Sequence, residues 1–126
     1  MNISIIIPTK DDFNFFLSTF EAVINQSLKT KKIIIIDSSI DNEINNFIKN
    51  FENNNINLIY KKVNKLYPGE ARNIGINLVD TEWTAIIDSK TVPNVDWLKL
   101  YRKKIIDDDA DIHFGSTKYF YKNNFQ

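Results

Sequence analysis

The chain of 126 residues contains no cysteine, which excludes disulfides and thiolate-held metals and fits a reducing compartment such as the cytoplasm. It has a single histidine, His113. No second histidine, cysteine or paired acid lies at ligand spacing from it, so His113 is expected to be a packed or partly exposed side chain within a strand. Neither sign of charge is in excess: sixteen basic and sixteen acidic side chains cancel. No overall field therefore draws the chain to nucleic acid or to an anionic membrane. No apolar run approaches the roughly 20 residues that span a bilayer. The first run, Ile3 to Ile7, meets Pro8 without a basic segment before it, unlike a signal peptide. Internal repeats, low-complexity segments and linkers are also lacking, and one domain over residues 1–126 is expected.

What is present describes a folded domain: 43% of residues are hydrophobic and 25% charged, close to the globular average. Ile3 to Ile7 predicts a buried strand stopped by Pro8, which has no N–H to give a ladder. From Phe13 the apolar residues Phe16, Leu17, Phe20, Val23 and Ile24 recur at helical spacing, in a helix ending near Gln26. Ile33 to Ile36 is apolar at every position, as in a parallel strand covered on both faces, and Asp37 ends it. Asp41 can cap a second helix carrying Ile44, Phe47, Ile48 and Phe51, and Ile56 to Tyr60 follows as a third strand. Pro68 and Gly69 open a third helix, with Glu70 in its first turn and Ala71, Ile74 and Leu78 on its packed face. Trp83 to Ile87 predicts a fourth strand, residues 94–106 a fourth helix, and Ile112 to Gly115 the start of a fifth strand. This alternation is that of a doubly wound, mostly parallel α/β sheet flanked by helices.

Right-handed crossovers gather the loops that leave the strand C-terminal ends on one edge, where such sheets bind ligands. That edge receives Pro8, Thr9, Lys10, Asp11 and Asp12 after strand one, and Asp37, Ser38 and Ser39 after strand two. Glu70, Arg72 and Asn73 come from the third helix, and Asp88, Ser89 and Lys90 from strand four. Carboxylates, hydroxyls and cations thus converge where a nucleotide diphosphate would fit. The same polar residues would also end the strands of a sheet that binds nothing. Asp37 and Asp41 have local capping roles open to them, and Arg72 a solvated one. Gly75 lies too deep in its helix to cradle a phosphate and reads as a close helix-to-strand contact. The acids from Asp107 to Asp111 read as a solvated turn.

Four ordered stretches resemble glycosyltransferase family 2: Ser4-Ile5-Ile6-Ile7-Pro8-Thr9, Ile33 to Ser39, Pro68-Gly69-Glu70-Ala71-Arg72-Asn73-Ile74-Gly75-Ile76, and Ile86-Ile87-Asp88-Ser89 followed by Pro93 and Trp97-Leu98. Together they cover nearly all of the chain up to Gly115. The resemblance implies the Rossmann-like GT-A fold, cut short, and the half that binds a uridine, guanosine or thymidine diphosphate sugar, with the uridine form expected. It implies hexosyl transfer to an acceptor hydroxyl. It places Pro8 and Thr9 near base and ribose, Asp37 at the family's first acid after strand two, and Arg72 at the arginine of its Ala-Arg-Asn motif. Where the family commonly has a second acid reading the base, this chain has Ser38, which can still donate and accept a hydrogen bond.

The family's Asp-x-Asp after strand four holds a divalent cation, Mg²⁺ or Mn²⁺. Here the motif is Asp88-Ser89-Lys90, so Asp88 alone remains as a metal ligand and an ammonium stands at the second position. That weakens the ion's site. Either Lys90 supplies the charge in its place, or the site has decayed. The acceptor-binding half and the catalytic base of the family match nothing in this sequence and are expected outside it. The competing reading is a non-catalytic nucleotide-binding or interaction module. A phosphate-receiver domain is disfavoured because Tyr60-Lys61-Lys62 stands where its phosphorylated aspartate belongs, and no Gly-x-Gly-x-x-Gly follows strand one to bind a dinucleotide.

Overall fold

The computed structural model describes residues 2–53 and 55–119. Its elements alternate as β1 (Ile3–Thr9), α1 (Phe13–Ile24), β2 (Lys32–Asp37), α2 (Glu43–Asn50), β3 (Asn57–Lys62), α3 (Pro68–Ile76), β4 (Trp83–Ile86) and α4 (Trp97–Asp107). The four strands form one sheet in the order β3-β2-β1-β4, parallel throughout.

Isoleucine at every position of the two central strands makes sense because each face has its own cover. Ile5, Ile7, Ile33 and Ile35 pack on Phe16, Phe20 and Val23 of α1, Ile44 of α2 and Leu98 of α4. The alternate residues Ile6, Ile34 and Ile36 pack on Ala71 and Ile74 of α3. β-branched side chains suit this pleated, doubly covered surface. Phe20 ties α1 to α2 by meeting Phe47 and Phe51 edge-on, with ring centroids 5.6 and 5.0 Å apart. Gly75 faces Ile6 so closely that a Cβ would lie 2.6 Å from Ile6 Cγ2.

Several boundaries differ from the sequence expectation. β1 does not stop at Ile7 but runs through Pro8 to Thr9. Ile6 accepts a hydrogen bond from Ile87 on the β4 side. Because strand positions alternate, the nitrogen of Pro8 faces that side too, where β4 has already ended at Ile86. The missing N–H is therefore not needed. β3 likewise continues past Tyr60 to Lys62 because β2 offers it partners as far as Asp37. The fifth strand expected over Ile112 to Gly115 does not form. Among the described residues β4 pairs only with β1, its outer edge takes up no further strand, and Ile112 and Phe114 are 69% and 89% exposed. His113 rests against Trp83, ring centroids 5.9 Å apart, outside any strand. Asp41 accepts the Glu43 N–H at 3.1 Å, one residue before the N-cap Asn42. Among the described residues no helix is long and apolar enough to cross a membrane.

Candidate functional site

The strand order reverses at β1: β2 and β3 lie to one side and β4 to the other. In parallel sheets the crevice beyond the strand C-terminal ends at such a reversal is where ligands settle. The structure brings Pro8, Thr9, Asp37, Ser38, Arg72, Asp88 and Lys90 to this edge, in two groups.

The first group is one row across the last rung of the sheet, since Thr9 pairs with Asp37 and Asp37 with Lys62. Asp37 is fully buried. Its Oδ1 accepts the Ser39 N–H at 2.9 Å and its Oδ2 accepts the Tyr60 hydroxyl at 2.6 Å. Lys62 Nζ lies 3.5 Å from Oδ2 and also donates to the Asp41 carbonyl. A ligand reaches the fully buried Asp37 only where one of these neighbours gives way. Burial, and then the bond to Asp37, push the Tyr60 phenol well above its ordinary value. Ser38 donates its N–H to the Thr9 carbonyl at 3.0 Å. Among the described residues the buried Thr9 hydroxyl at the strand end has no hydrogen-bond partner.

The second group spans the reversal. Arg72, one turn into α3, donates from Nη2 to Asp88 Oδ1 at 2.9 Å, both side chains partly exposed. Glu70 is occupied as a cap, accepting the Tyr67 N–H at 2.8 Å. Lys90 Nζ reaches from the β4 loop to Asp12 Oδ2 in the β1 loop, 3.5 Å away, and lies 5.9 Å from the Phe15 ring centroid. The loop beneath Lys90 is pinned. The Thr19 hydroxyl of α1 lies 2.8 Å from the Ser89 carbonyl and 2.9 Å from that of Thr91, and Thr91 donates back to the Asp88 carbonyl. The β1 and β2 loops are tied by Asp11, whose N–H donates to Ser39 Oγ at 2.7 Å while its Oδ1 accepts the Ile40 N–H at 2.8 Å. Asp11 takes a left-handed φ of 52° to do so.

This edge, with basic groups beside a switch point and a buried free hydroxyl, is chemically suited to an anion joined to a polar ring. The chain matches the model of the family described as "Glycosyl transferase family 2" over residues 4–126. The chain belongs to this family. Two curated relatives, both from Streptococcus pneumoniae, are the glycosyltransferases GlyG and GlyA. GlyG is 21% identical over 116 residues and GlyA 24% over 115; each match covers 90% of this chain, but only 38% of GlyG and 16% of GlyA. The fold is also that of S. aureus TarS, residues 1–349, with a TM-score of 0.73 at 23% identity over 85% of this chain and 33% of that one. Structures of TarS residues 1–349 in complex with UDP and with UDP-GlcNAc align with TM-scores of 0.72 and 0.73 at 22% and 23% identity, each over 85% of this chain and 32% of that one. The family 2 chain described here thus spans well under half the length of these relatives, and has their Rossmann-like GT-A sheet.

Divalent cations in such folds are held by carboxylates, and the residues present here do not fit one. Among the described residues no three His, Cys, Asp or Glu side chains gather around a common point. Asp88 gives Oδ1 to Arg72, and an ammonium follows two positions later. Sequence reasoning missed Tyr60, Lys62 and Thr19 as parts of this edge. Tyr60 and Lys62 were open to detection, because alternate residues of one strand share a face. Thr19 is a hydroxyl three residues after Phe16 on the buried face of α1, and that misplaced polarity was its signal.

Proposed function

We propose that the chain binds a nucleoside-diphosphate sugar, a uridine derivative first, at the crevice between the ends of β1 and β4. In this reading the chain serves transfer of a hexosyl group to an acceptor hydroxyl. The observation that carries this reading is the Arg72–Asp88 pair at 2.9 Å at the C-terminal edge of the sheet, the edge where β1 ends at Thr9. A guanidinium on the first turns of a helix, close to backbone N–H groups, is a strong diphosphate partner. A buried hydroxyl without a partner gains a hydrogen bond when a ribose or base arrives. Membership of family 2 and the UDP and UDP-GlcNAc complexes of TarS support the same reading.

Calorimetric titration with UDP, GDP and dTDP tests it. UDP is expected to bind, and Arg72→Ala to weaken it on the order of tenfold or more, because a charge-assisted bond is lost. Equal affinity of wild type and Arg72→Ala would remove the diphosphate from this position. A second reading, a nucleotide-binding module without transfer chemistry, is favoured by Lys90 at the family's second acid position. Hydrolysis of UDP-GlcNAc by the chain, followed by UDP release, separates the two: turnover supports the enzyme, binding without turnover the module.

A further inference from the structure

We propose that Lys90, together with Arg72, neutralises the donor diphosphate at this edge in place of a divalent cation, so that nucleotide binding does not depend on metal. The inference rests on the nucleotide-sugar reading above and concerns how that same site handles charge. It begins from the misfit of the residues to a metal: one acid, Asp88, already bonded to Arg72 at 2.9 Å, and Lys90 two residues on. A hard cation held at Asp88 would meet the guanidinium already bonded to that carboxylate, and like charges at that range repel. An anionic diphosphate in the same place meets Arg72 and Lys90 as partners.

Geometry places Lys90 for this role. Its backbone is fixed from both sides, because the Thr19 hydroxyl engages the carbonyls of Ser89 and Thr91, and Ser89 is buried. Its side chain is 67% exposed and crosses from the β4 loop to the β1 loop, spanning the switch-point crevice. The contacts it makes there are weak ones. Asp12 is 3.5 Å away in an exposed pair, and the Phe15 ring centroid is 5.9 Å away. Exposed ion pairs are screened and contribute little, so Lys90 exchanges Asp12 for a phosphate oxygen readily. Arg72 bonds Asp88, and Lys90 follows Asp88 by two residues on the same loop.

The test uses this chain with UDP as the probe, titrated calorimetrically in EDTA and again in Mn²⁺. UDP affinity is expected to be the same in both within about threefold, a change worth just under half of a tenfold one in free energy. Lys90→Ala is expected to weaken binding in EDTA on the order of tenfold or more through loss of a charged partner. Lys90→Asp restores the second acid, and its binding is expected to require Mn²⁺. Circular dichroism of both variants confirms folding, which an exposed side chain leaves intact. Binding by the wild type only when Mn²⁺ is present overturns the inference and leaves the nucleotide reading standing. Lys90→Ala or Lys90→Asp binding UDP in EDTA as tightly as wild type also overturns it. Failure of UDP, GDP and dTDP to bind under both conditions overturns the nucleotide reading itself, and this inference with it.

Discussion

Single atoms decide two features of this domain. At Gly75 an added Cβ would lie 2.6 Å from Cγ2 of the fully buried Ile6, a branched side chain held in the sheet with no room to retreat. Gly75→Ala should destabilise the fold by about 1–3 kcal/mol through overpacking, even though alanine favours a helix by about 1 kcal/mol. Urea denaturation measures the balance, and a stabilised variant would show that α3 can shift off the sheet. Tyr60 supplies a pH signature. Its phenol is raised from 10.0 by burial first and by Asp37 second. A raised value means that the folded state holds the proton more tightly than the unfolded one. The contribution is therefore complete below the unfolded value and is lost as pH climbs toward the folded one. Tyr60→Phe should narrow the stability difference between about pH 8 and about pH 11 relative to wild type, read by denaturation at both; an unchanged difference would mean the phenol titrates freely. Gly75 was legible from sequence, because a glycine deep inside a helix signals close packing. The enclosure of Asp37 was not, since it depends on β3 continuing two residues beyond Tyr60.

Among the elements, the loop between β4 and α4 owes its shape to a helix distant in sequence. Thr19 lies on α1, yet its hydroxyl is the common partner of the Ser89 and Thr91 carbonyls. Thr19→Val keeps the shape and removes that partner, leaving two carbonyls near a buried methyl. The expected cost is about 1–3 kcal/mol, with faster amide exchange confined to residues 88–91 and weaker UDP binding through Lys90. Uniform acceleration over the whole sheet would instead assign Thr19 to general packing. The strands and helices themselves were legible because their apolar periods are clean: all-apolar Ile33 to Ile36 could only be a strand covered on both faces. Ends were less legible. Pro8 looked like a stop, and is one only on a side where a ladder partner continues. Ile112 to Gly115 has a strand's composition, but it does not pair with the free edge of β4, and composition alone does not make a strand.

For the whole molecule, the reversal of strand order at β1 separates the two edges of the sheet. The C-terminal edge carries Thr9, Arg72, Asp88 and Lys90. The N-terminal edge has small concavities lined by Asn2, Ile3, Lys31, Lys32, Asp80 and Thr81, among which Lys32 pairs with Asp80 at 2.8 Å. A diphosphate could in principle be drawn to either, since each has a cation. Both edges pair cations with acids, Lys32 with Asp80 and Arg72 with Asp88, so charge alone does not choose between them. The helix N-termini do: in βαβ units the helices begin where strands end, beside the C-terminal edge. Titration with UDP should therefore shift backbone amide resonances of residues 9–12, 38–40, 68–73 and 88–91, and leave residues 31–32 and 80–81 in place. At about a hundredfold excess over the dissociation constant the same ligand should add about 2.7 kcal/mol of stability. Shifts concentrated around Lys32 and Asp80 would move the binding site to the opposite edge and separate the nucleotide from Arg72 and Lys90 altogether.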